Sequence, residues 1–600
     1  MAAPRADAAG GFAYETRFGA VMLEGGATKF TFWAPGCDSV RLEIEGAEPV
    51  PMRRDEAGIF TAEAKLGAGA RYKYRISNDL AVPDPVSRLQ AKDVHDASVV
   101  VDPRAYHWRN ASWRGRPWHE AVVLEVHAGA MGGFAGIMKE LPRLKRLGIT
   151  AIELMPIADF PGRHNWGYDG ALPYAPDAAY GTPEQLKQLI DAAHDLELMV
   201  FLDVVYNHFG PDGNYLSAYA PGFFREDVPT PWGVAIDFRK PEVRRFFIDN
   251  ALYWLMEYRF DGLRFDAVHA IEDPTFLMDM AKAIRAGVER DRHVHLVLEN
   301  DDNAAALLRA GPDQDGYDAQ WADDTHHCFH VLLTGEHEGY YEDYPKAAAQ
   351  LARCLSEGFA YQGEPSQHRD GEPRGEKSAH LPPSDFVIFL QNHDQIGNRA
   401  FGDRLSTLAD PAALRAATLV LLLSPQIPLL FMGQEWGEKR PFLYFTDHQN
   451  PDLAEAVRKG RRKEFEKFPA FSSAEKREKI PDPNARESFE NSVPRLADPP
   501  DEDQSGWLSL HESLLRIRRD RIMSGIPGSR SLGASALGDA GIIASWRLGD
   551  GAVLTIAANF GASPVAIPAV EGEMLASTPE NLRLSGSLPP RSAAAWLKAP

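Results

Sequence analysis

Eight short apolar runs, separated by stretches of helical periodicity, constrain the fold of this chain more than any other feature of its sequence. They are Val122–His127, Ala151–Pro156, Val200–Tyr206, Gly262–Ala267, His295–Glu299, Ala319–Ala322, Phe386–Gln391 and Pro428–Met432. A strand that is apolar at nearly every position has both faces covered, which is the condition of a parallel sheet flanked by helices. Between the second and third runs, Leu186, Leu189, Ile190 and Ala193 fall at i, i+3, i+4 and i+7. With Thr182 and Pro183 suited to N-cap and N1, this spacing predicts a helix over Glu184–Leu196. Eight such units predict an α/β fold, a (β/α)8 TIM barrel.

The flanks read differently. Lys29-Phe-Thr-Phe-Trp33, Val40-Arg-Leu-Glu-Ile44 and Tyr72-Lys-Tyr-Arg-Ile76 alternate apolar with polar residues between glycine and proline turns, as half-buried antiparallel strands do. Alternation returns at Gly541–Trp546 and Ala552–Ala558. The expected organisation is an N-terminal β-sandwich over residues 1–110, the barrel over 111–525 closed by a helix at Glu502–Arg521, and a C-terminal β-sandwich over 526–600. Two long insertions interrupt the barrel: 209–239, rich in glycine, proline and aromatics, and 362–383, almost wholly polar. Loops of that length are often functional.

Composition narrows the partners. Sixty-four basic against 85 acidic residues leave a net charge of −21, which repels phosphate backbones and anionic headgroups, so neither nucleic acid nor a membrane is expected as a partner. Cys37, Cys328 and Cys354 are an odd, scattered set that suits neither a disulfide framework nor a zinc site. Met1–Gly10 has no apolar stretch of the kind a secretion signal needs, and the best apolar run, Thr418–Leu423, is too short to span a bilayer. These features predict a cytoplasmic protein.

On such a barrel the C-terminal ends of the strands carry the chemistry. Here they hold Asp203-Val-Val-Tyr-Asn207-His208, Arg264-Phe-Asp266, Glu299-Asn300 and Gln391-Asn-His393-Asp394. Carboxylates converging with one arginine and two histidines suit glycoside hydrolysis, in which one carboxylate attacks the anomeric carbon and another protonates the departing oxygen. Neither GxxxxGK[ST] nor a strand-following GxGxxG is present, so nucleotide readings lack their phosphate cradle.

These four stretches resemble the ordered motifs of the α-amylase superfamily, glycoside hydrolase family 13. The resemblance covers nearly the whole chain, since its members commonly place β-sandwich domains before and after the barrel. It implies Asp266 as nucleophile, Glu299 as general acid/base and Asp394 as stabiliser of the distorted sugar. It also implies that Arg264 orients Asp266 and that His208 and His393 hold sugar hydroxyls; Asp203 reads as a structural ion pair with Arg264 that fixes the barrel mouth. Trp166-Gly-Tyr168-Asp169 supplies the aromatic platform and its neighbours. Such a mechanism retains anomeric configuration and sets the two working carboxyls roughly 5–5.5 Å apart.

Within the superfamily, Trp166-Gly-Tyr-Asp-Gly170, Trp321-Ala-Asp-Asp-Thr-His-His327, Thr334-Gly-Glu-His-Glu-Gly-Tyr-Tyr341, Gln391–Arg399 and Phe431–Trp436 resemble the trehalohydrolase branch. Its members release trehalose from the end of a maltooligosyl chain. The resemblance implies a maltooligosaccharide-type substrate ending in trehalose, a part in trehalose biosynthesis and no cofactor, and it does not demand a metal. Trp321, Asp323, Asp324 and His326 are the expected contacts for the trehalose moiety, with residues 362–383 as a wall. The chain departs from many amylases in offering only His269 where they have Lys-His, and in showing no evident calcium loop although Asn207 aligns with a calcium-binding position. A glycogen branching or debranching enzyme is the nearest alternative, and a noncatalytic carbohydrate-binding barrel the alternative from another class.

Overall fold

The computed structural model describes residues 11–230, 233–308 and 315–600; Met1–Gly10 and two positions of the 209–239 insertion lie outside the described residues. Its centre is a closed parallel barrel of eight strands in sequence order. We label them β1 (Val123–Val126), β2 (Ala151–Leu154), β3 (Met199–Val204), β4 (Gly262–Phe265), β5 (His295–Leu298), β6 (Ala319–Trp321), β7 (Phe386–Phe389) and β8 (Ile427–Phe431). Each falls within one of the eight apolar runs or one residue outside it. The predicted helix is present at Pro183–Asp195, held by a capping box between Thr182 and Gln185. The closing helix runs from Glu502 to Ile517 and continues as one π-turn to Ile522.

Inward-facing side chains form layers. The lower ones are apolar, built from residues such as Val123, Ala151, Phe201, Val297, Phe389 and Leu429. Because side chains alternate with a period of two, the inward positions one step further up are Glu125, Glu153, Asp203 and Arg264, all buried. A barrel whose floor is hydrophobic and whose upper layer is charged puts the cost of burying charge at one end only, the end where the helices leave.

Before the barrel, a four-stranded and a five-stranded antiparallel sheet pack through Phe30 against Tyr72 and Phe32 against Tyr74. This sandwich leans on the helix Pro241–Met256, where the Tyr14 hydroxyl donates to Asp249 at 2.7 Å and Arg88 meets Glu257 at 3.5 Å. After the barrel, a five-stranded antiparallel sheet and a two-stranded sheet share a small core of Ala557, Leu588, Ala594 and Trp596. The Trp546 indole N–H donates across to the Leu355 carbonyl of a barrel helix. The 209–239 insertion contains a hairpin of Phe224–Thr230 with Gly233–Ile236, and the 362–383 insertion a short ladder of Glu364–Pro365 with Pro373–Arg374. Among the described residues no helix is long and apolar enough to cross a membrane.

Candidate active site

Strand register decides which carboxylates meet. Asp203 of β3 lies opposite Arg264 of β4, and Phe265 lies opposite Leu298 of β5, so Asp266 and Glu299 leave adjacent strands at the same height. The buried Arg264 guanidinium then reaches all three acids. Nη1 donates to Asp203 Oδ2 at 2.7 Å and to Asp266 Oδ1 at 2.8 Å, while Nη2 donates to Glu299 Oε2 at 2.8 Å. Beneath it, the face of Trp321 lies 4.1 Å from the guanidinium carbon.

The chain turns sharply after Asp266. Ala267 sits in the left-handed region at φ 39°, which costs a non-glycine residue free energy and points its N–H to Glu299 Oε2 at 2.8 Å. Asn207, at the end of β3, donates to Asp266 Oδ2 at 2.8 Å and to the Asp266 carbonyl at 2.9 Å. Both oxygens of Asp266 are thereby fixed. Asp394 comes from the short helix His393–Gly397 that follows β7, capped by Asn392, and its carboxyl lies 3.3 Å from His393 Nε2.

The environments of the two carboxyls on Arg264 diverge. Burial works against the charge of Asp266, yet Arg264, His208 and the Asn207 amide hold its carboxyl below the usual range. Burial pushes Glu299 well above the usual range; Arg264 opposes this, while Asp266, Asp394 and Asp323 add to it. The surroundings thus favour an anion at one carboxyl and a proton at its neighbour, the pairing that nucleophilic attack with acid assistance needs.

These groups open into a cleft of about 620 Å³. Tyr168 lines it, its hydroxyl donating to Asp203 Oδ2 at 2.7 Å and its ring stacked on His393 at 5.1 Å. Trp166 also lines it but is nearly enclosed, stacked on Phe442, with its indole N–H on the Leu443 carbonyl. Asp169 accepts from Asn165 at 2.6 Å; His208 Nε2 donates to the Tyr168 carbonyl at 2.9 Å. Asp169, His208, His393 and Asp323 all reach the cleft wall.

Arg264 is fully buried and, as expected, bonds Asp266 rather than reaching the cleft. Three expected substrate contacts also stay off the wall. Trp321 is the floor beneath that arginine. Asp324 is wholly buried, accepting from Asn303, Tyr344, Arg374 and the backbone N–H groups of Ala360 and Tyr361. His326 is buried between the Leu390 carbonyl and the Tyr341 hydroxyl. The reason is periodicity: β6 ends at Trp321 and a helix starts at Asp323, so successive residues turn around an axis and only Asp323 and His327 meet the cleft.

The polar insertion forms part of the wall, as expected, but the residues it contributes, and others beside it, were not named from the sequence. Arg369 and Arg374, from the polar insertion, grip Asp301 just beyond Glu299 at 2.6 and 2.8 Å, and Arg374 also holds Asp324 at 2.8 Å. Tyr340 and Tyr344 come from the segment after β6, and Arg461 and Glu464 from the helix Pro451–Glu464. The insertion was marked only by its length and polarity; nothing in the sequence pairs Arg374 with Asp301. Among the described residues no group of His, Cys, Asp and Glu is arranged to hold a metal ion. Asn207 is turned to Asp266 and His208, and Asp212 and Asp237 pair with His95 and Arg239.

Barrel and site together define a glycoside hydrolase of the α-amylase class. The family model "Alpha amylase, catalytic domain" matches residues 107–220, and "Domain of unknown function (DUF3459)" matches 529–596. The malto-oligosyltrehalose trehalohydrolase of Deinococcus radiodurans is 42% identical over 517 residues, covering 84% of this chain and 83% of that one. That of Saccharolobus solfataricus is 41% identical over 459 residues, covering 74% and 80%. The crystal structure of an alpha amylase candidate from Salmonella typhimurium superposes with a TM-score of 0.92 at 43% identity, covering 98% of this chain and 100% of that one. The chain belongs to the malto-oligosyltrehalose trehalohydrolase family.

Proposed function

We propose that the protein cleaves the α-1,4-glucosidic bond next to the trehalose end of maltooligosyltrehalose, releasing trehalose and a maltooligosaccharide with retained configuration. The observation that carries the reaction is the single guanidinium of Arg264 holding Asp266 and Glu299 side by side, in surroundings that favour the charge of the first and disfavour that of the second. The trehalose-ended substrate follows from the family to which the chain belongs.

In the first step a carboxylate oxygen of Asp266 attacks the anomeric carbon while Glu299 gives its proton to the leaving oxygen, so the glycosidic bond breaks as the glycosyl ester forms. In the second, Glu299 takes a proton from water as that water displaces Asp266, restoring both groups. Asp394 contributes negative charge and hydrogen bonding next to the oxocarbenium-like centre. Tyr168 is the platform beneath the sugar, and Trp166 and Asp169 frame it; His208 and His393 hold its hydroxyls, and Asp323 faces the leaving group. Arg264 acts through Asp266 and Glu299 rather than on the sugar. We further propose a cytoplasmic site of action, consistent with three free, buried cysteines, and division of the chain at about residues 110 and 525.

Product analysis tests the reading. Maltooligosyltrehalose should yield trehalose and an α-configured maltooligosaccharide; new α-1,6 linkages without net hydrolysis would assign a branching enzyme instead, and no turnover a binding protein.

A further inference from the structure

Two carboxylates lie in the charged layer of the barrel without a part in the reaction described above. Glu125 of β1 and Glu153 of β2 are opposite each other in the strand register, and both are buried. Their surroundings differ. One oxygen of Glu153 has no hydrogen-bond partner, and burial, with Glu125 and Asp203 adding to it, pushes its carboxyl well above the usual range. Glu125 instead meets two donors of one residue: Oε2 accepts the His393 backbone N–H at 3.1 Å, and Oε1 pairs with His393 Nδ1.

We propose that Glu125 is a positioning residue for hydrolysis: by engaging both the backbone N–H and Nδ1 of His393, it fixes the ring as an imidazolium whose Nε2–H lies beside Asp394 and faces the sugar. The ring has carboxylates at both ends, Glu125 behind it and Asp394 in front at 3.3 Å. A neutral ring bonded to Glu125 through Nδ1–H would leave an unprotonated, uncharged Nε2 3.3 Å from an Asp394 carboxyl oxygen, with nothing to attract that carboxylate. Only a doubly protonated ring is attracted by the carboxylates at both ends.

Every element packed around the ring bears on this charge. Glu125 faces it from β1, Glu153 from β2, Arg264 from β4 and Asp394 from its own helix, and His127 lies just beyond β1. Tyr168 stacks on one face at 5.1 Å, and Trp166 meets it edge-on at 5.4 Å. Burial alone would lower the ring's pKa, and Arg264 works the same way; Asp394 and Glu125 override both and push it up to about 10. Burial disfavours the charge of Glu153, and Glu125 is the carboxyl that contacts the ring directly.

The inference rests on His393 holding the sugar, so the ring's charge is read first without substrate. In the ¹⁵N-histidine-labelled protein, with the His393 signal identified by its loss in His393→Gln, the wild-type ring should stay doubly protonated through pH 8.5. A neutral ring there overturns the proposal outright, whether or not any variant folds. In Glu125→Gln, which keeps the volume and loses the charge, the ring should titrate near the ordinary histidine value of about 6.5. Its kcat/KM should then match wild type on the acid side and fall by about tenfold above that pH, as a charge-assisted bond to the sugar becomes a neutral one. Glu125→Asp, which keeps the charge, should keep the flat profile. A loss equal at every pH, or an undiminished loss when Glu125→Gln is added to His393→Gln, would make Glu125 a structural acid only. Failure of the wild type to hydrolyse maltooligosyltrehalose would strike the proposed function and leave the ring measurement standing.

Discussion

The ends of β4 and β5 and the end of β6 carry the same kinds of side chain and use them in opposite ways. At the first, one buried arginine faces three acids, and two of those acids open into the cleft. At the second, Arg374 and Asp324 form an equally tight pair, but Asp324 is sealed by five donors and only Asp323 and His327 reach the cleft. A buried charge pair is therefore no sign of catalysis by itself. What separates the two regions is whether a polar oxygen is left facing open space after the internal hydrogen bonds are made.

The largest expected effects test the first region. Glu299→Gln and Asp266→Asn should leave the fold intact and lower kcat by about 10²–10⁴-fold or more, because each removes proton or charge capacity at nearly constant volume. Asp394→Asn should follow. Near wild-type turnover in Glu299→Gln would move the acid/base role elsewhere, perturbing the whole comparison.

Next comes the second region. Asp324→Ala strips Arg374 of one partner and leaves two backbone N–H groups of the loop unpaired, so stability should fall by about 3–5 kcal/mol. Thermal melts read that loss, and kcat/KM should drop equally on maltooligosyltrehalose and on plain maltooligosaccharide. A selective loss on the trehalose-ended substrate would restore Asp324 as a specificity residue.

Asp323 sharpens the boundary between the two. Burial, then Asp301 and Asp394, push its carboxyl up to about 7. A carboxyl whose folded pKa lies above its unfolded value holds its proton more tightly when folded, so it lowers stability as pH rises from about 4 to about 7. Asp323→Asn should accordingly raise the melting temperature at pH 8 and leave it unchanged at pH 3.5. Since Asp323 also helps to raise Glu299, the basic limb of kcat/KM should move toward lower pH in this variant. An unmoved limb would detach Asp323 from the catalytic carboxyls.

The smallest effect belongs to Tyr168→Phe. It deletes one hydrogen bond to Asp203, which keeps Arg264, and leaves the stacked ring in place. A cost of about 0.5–1.5 kcal/mol in stability and a modest loss of kcat/KM are expected. Tyr168→Ala should cost much more in kcat/KM; equal effects of the two would remove the platform role.

Much of this was open to sequence reading. The eight barrel strands were found because apolar runs covered on both faces have a length and punctuation of their own, and the helix Pro183–Asp195 because its apolar period and its cap agree. Asp266, Glu299 and Asp394 stood out by lying at strand ends. Loop-borne and helix-borne groups were harder. Trp321, Asp324 and His326 shared a motif with Asp323, and a motif does not say which way a helix faces. Arg369 and Arg374 lie 68 and 73 residues from Asp301, and Arg461 lies 64 from the Gly397 carbonyl it bonds, so no local pattern pairs them.

The amino-acid sequence by itself determined the strands, their order and the acids that end them, because periodicity and burial are local properties written every two or three to four residues. Tertiary structure alone decided the rest. Closing the barrel set the register that brings Asp266 and Glu299 to one height and Glu125 behind His393. It also enclosed Glu299 so that burial raises its carboxyl, while Arg264, His208 and Asn207 hold that of Asp266 down. Register and desolvation depend on which distant residues become neighbours, and that is fixed only when the chain has folded.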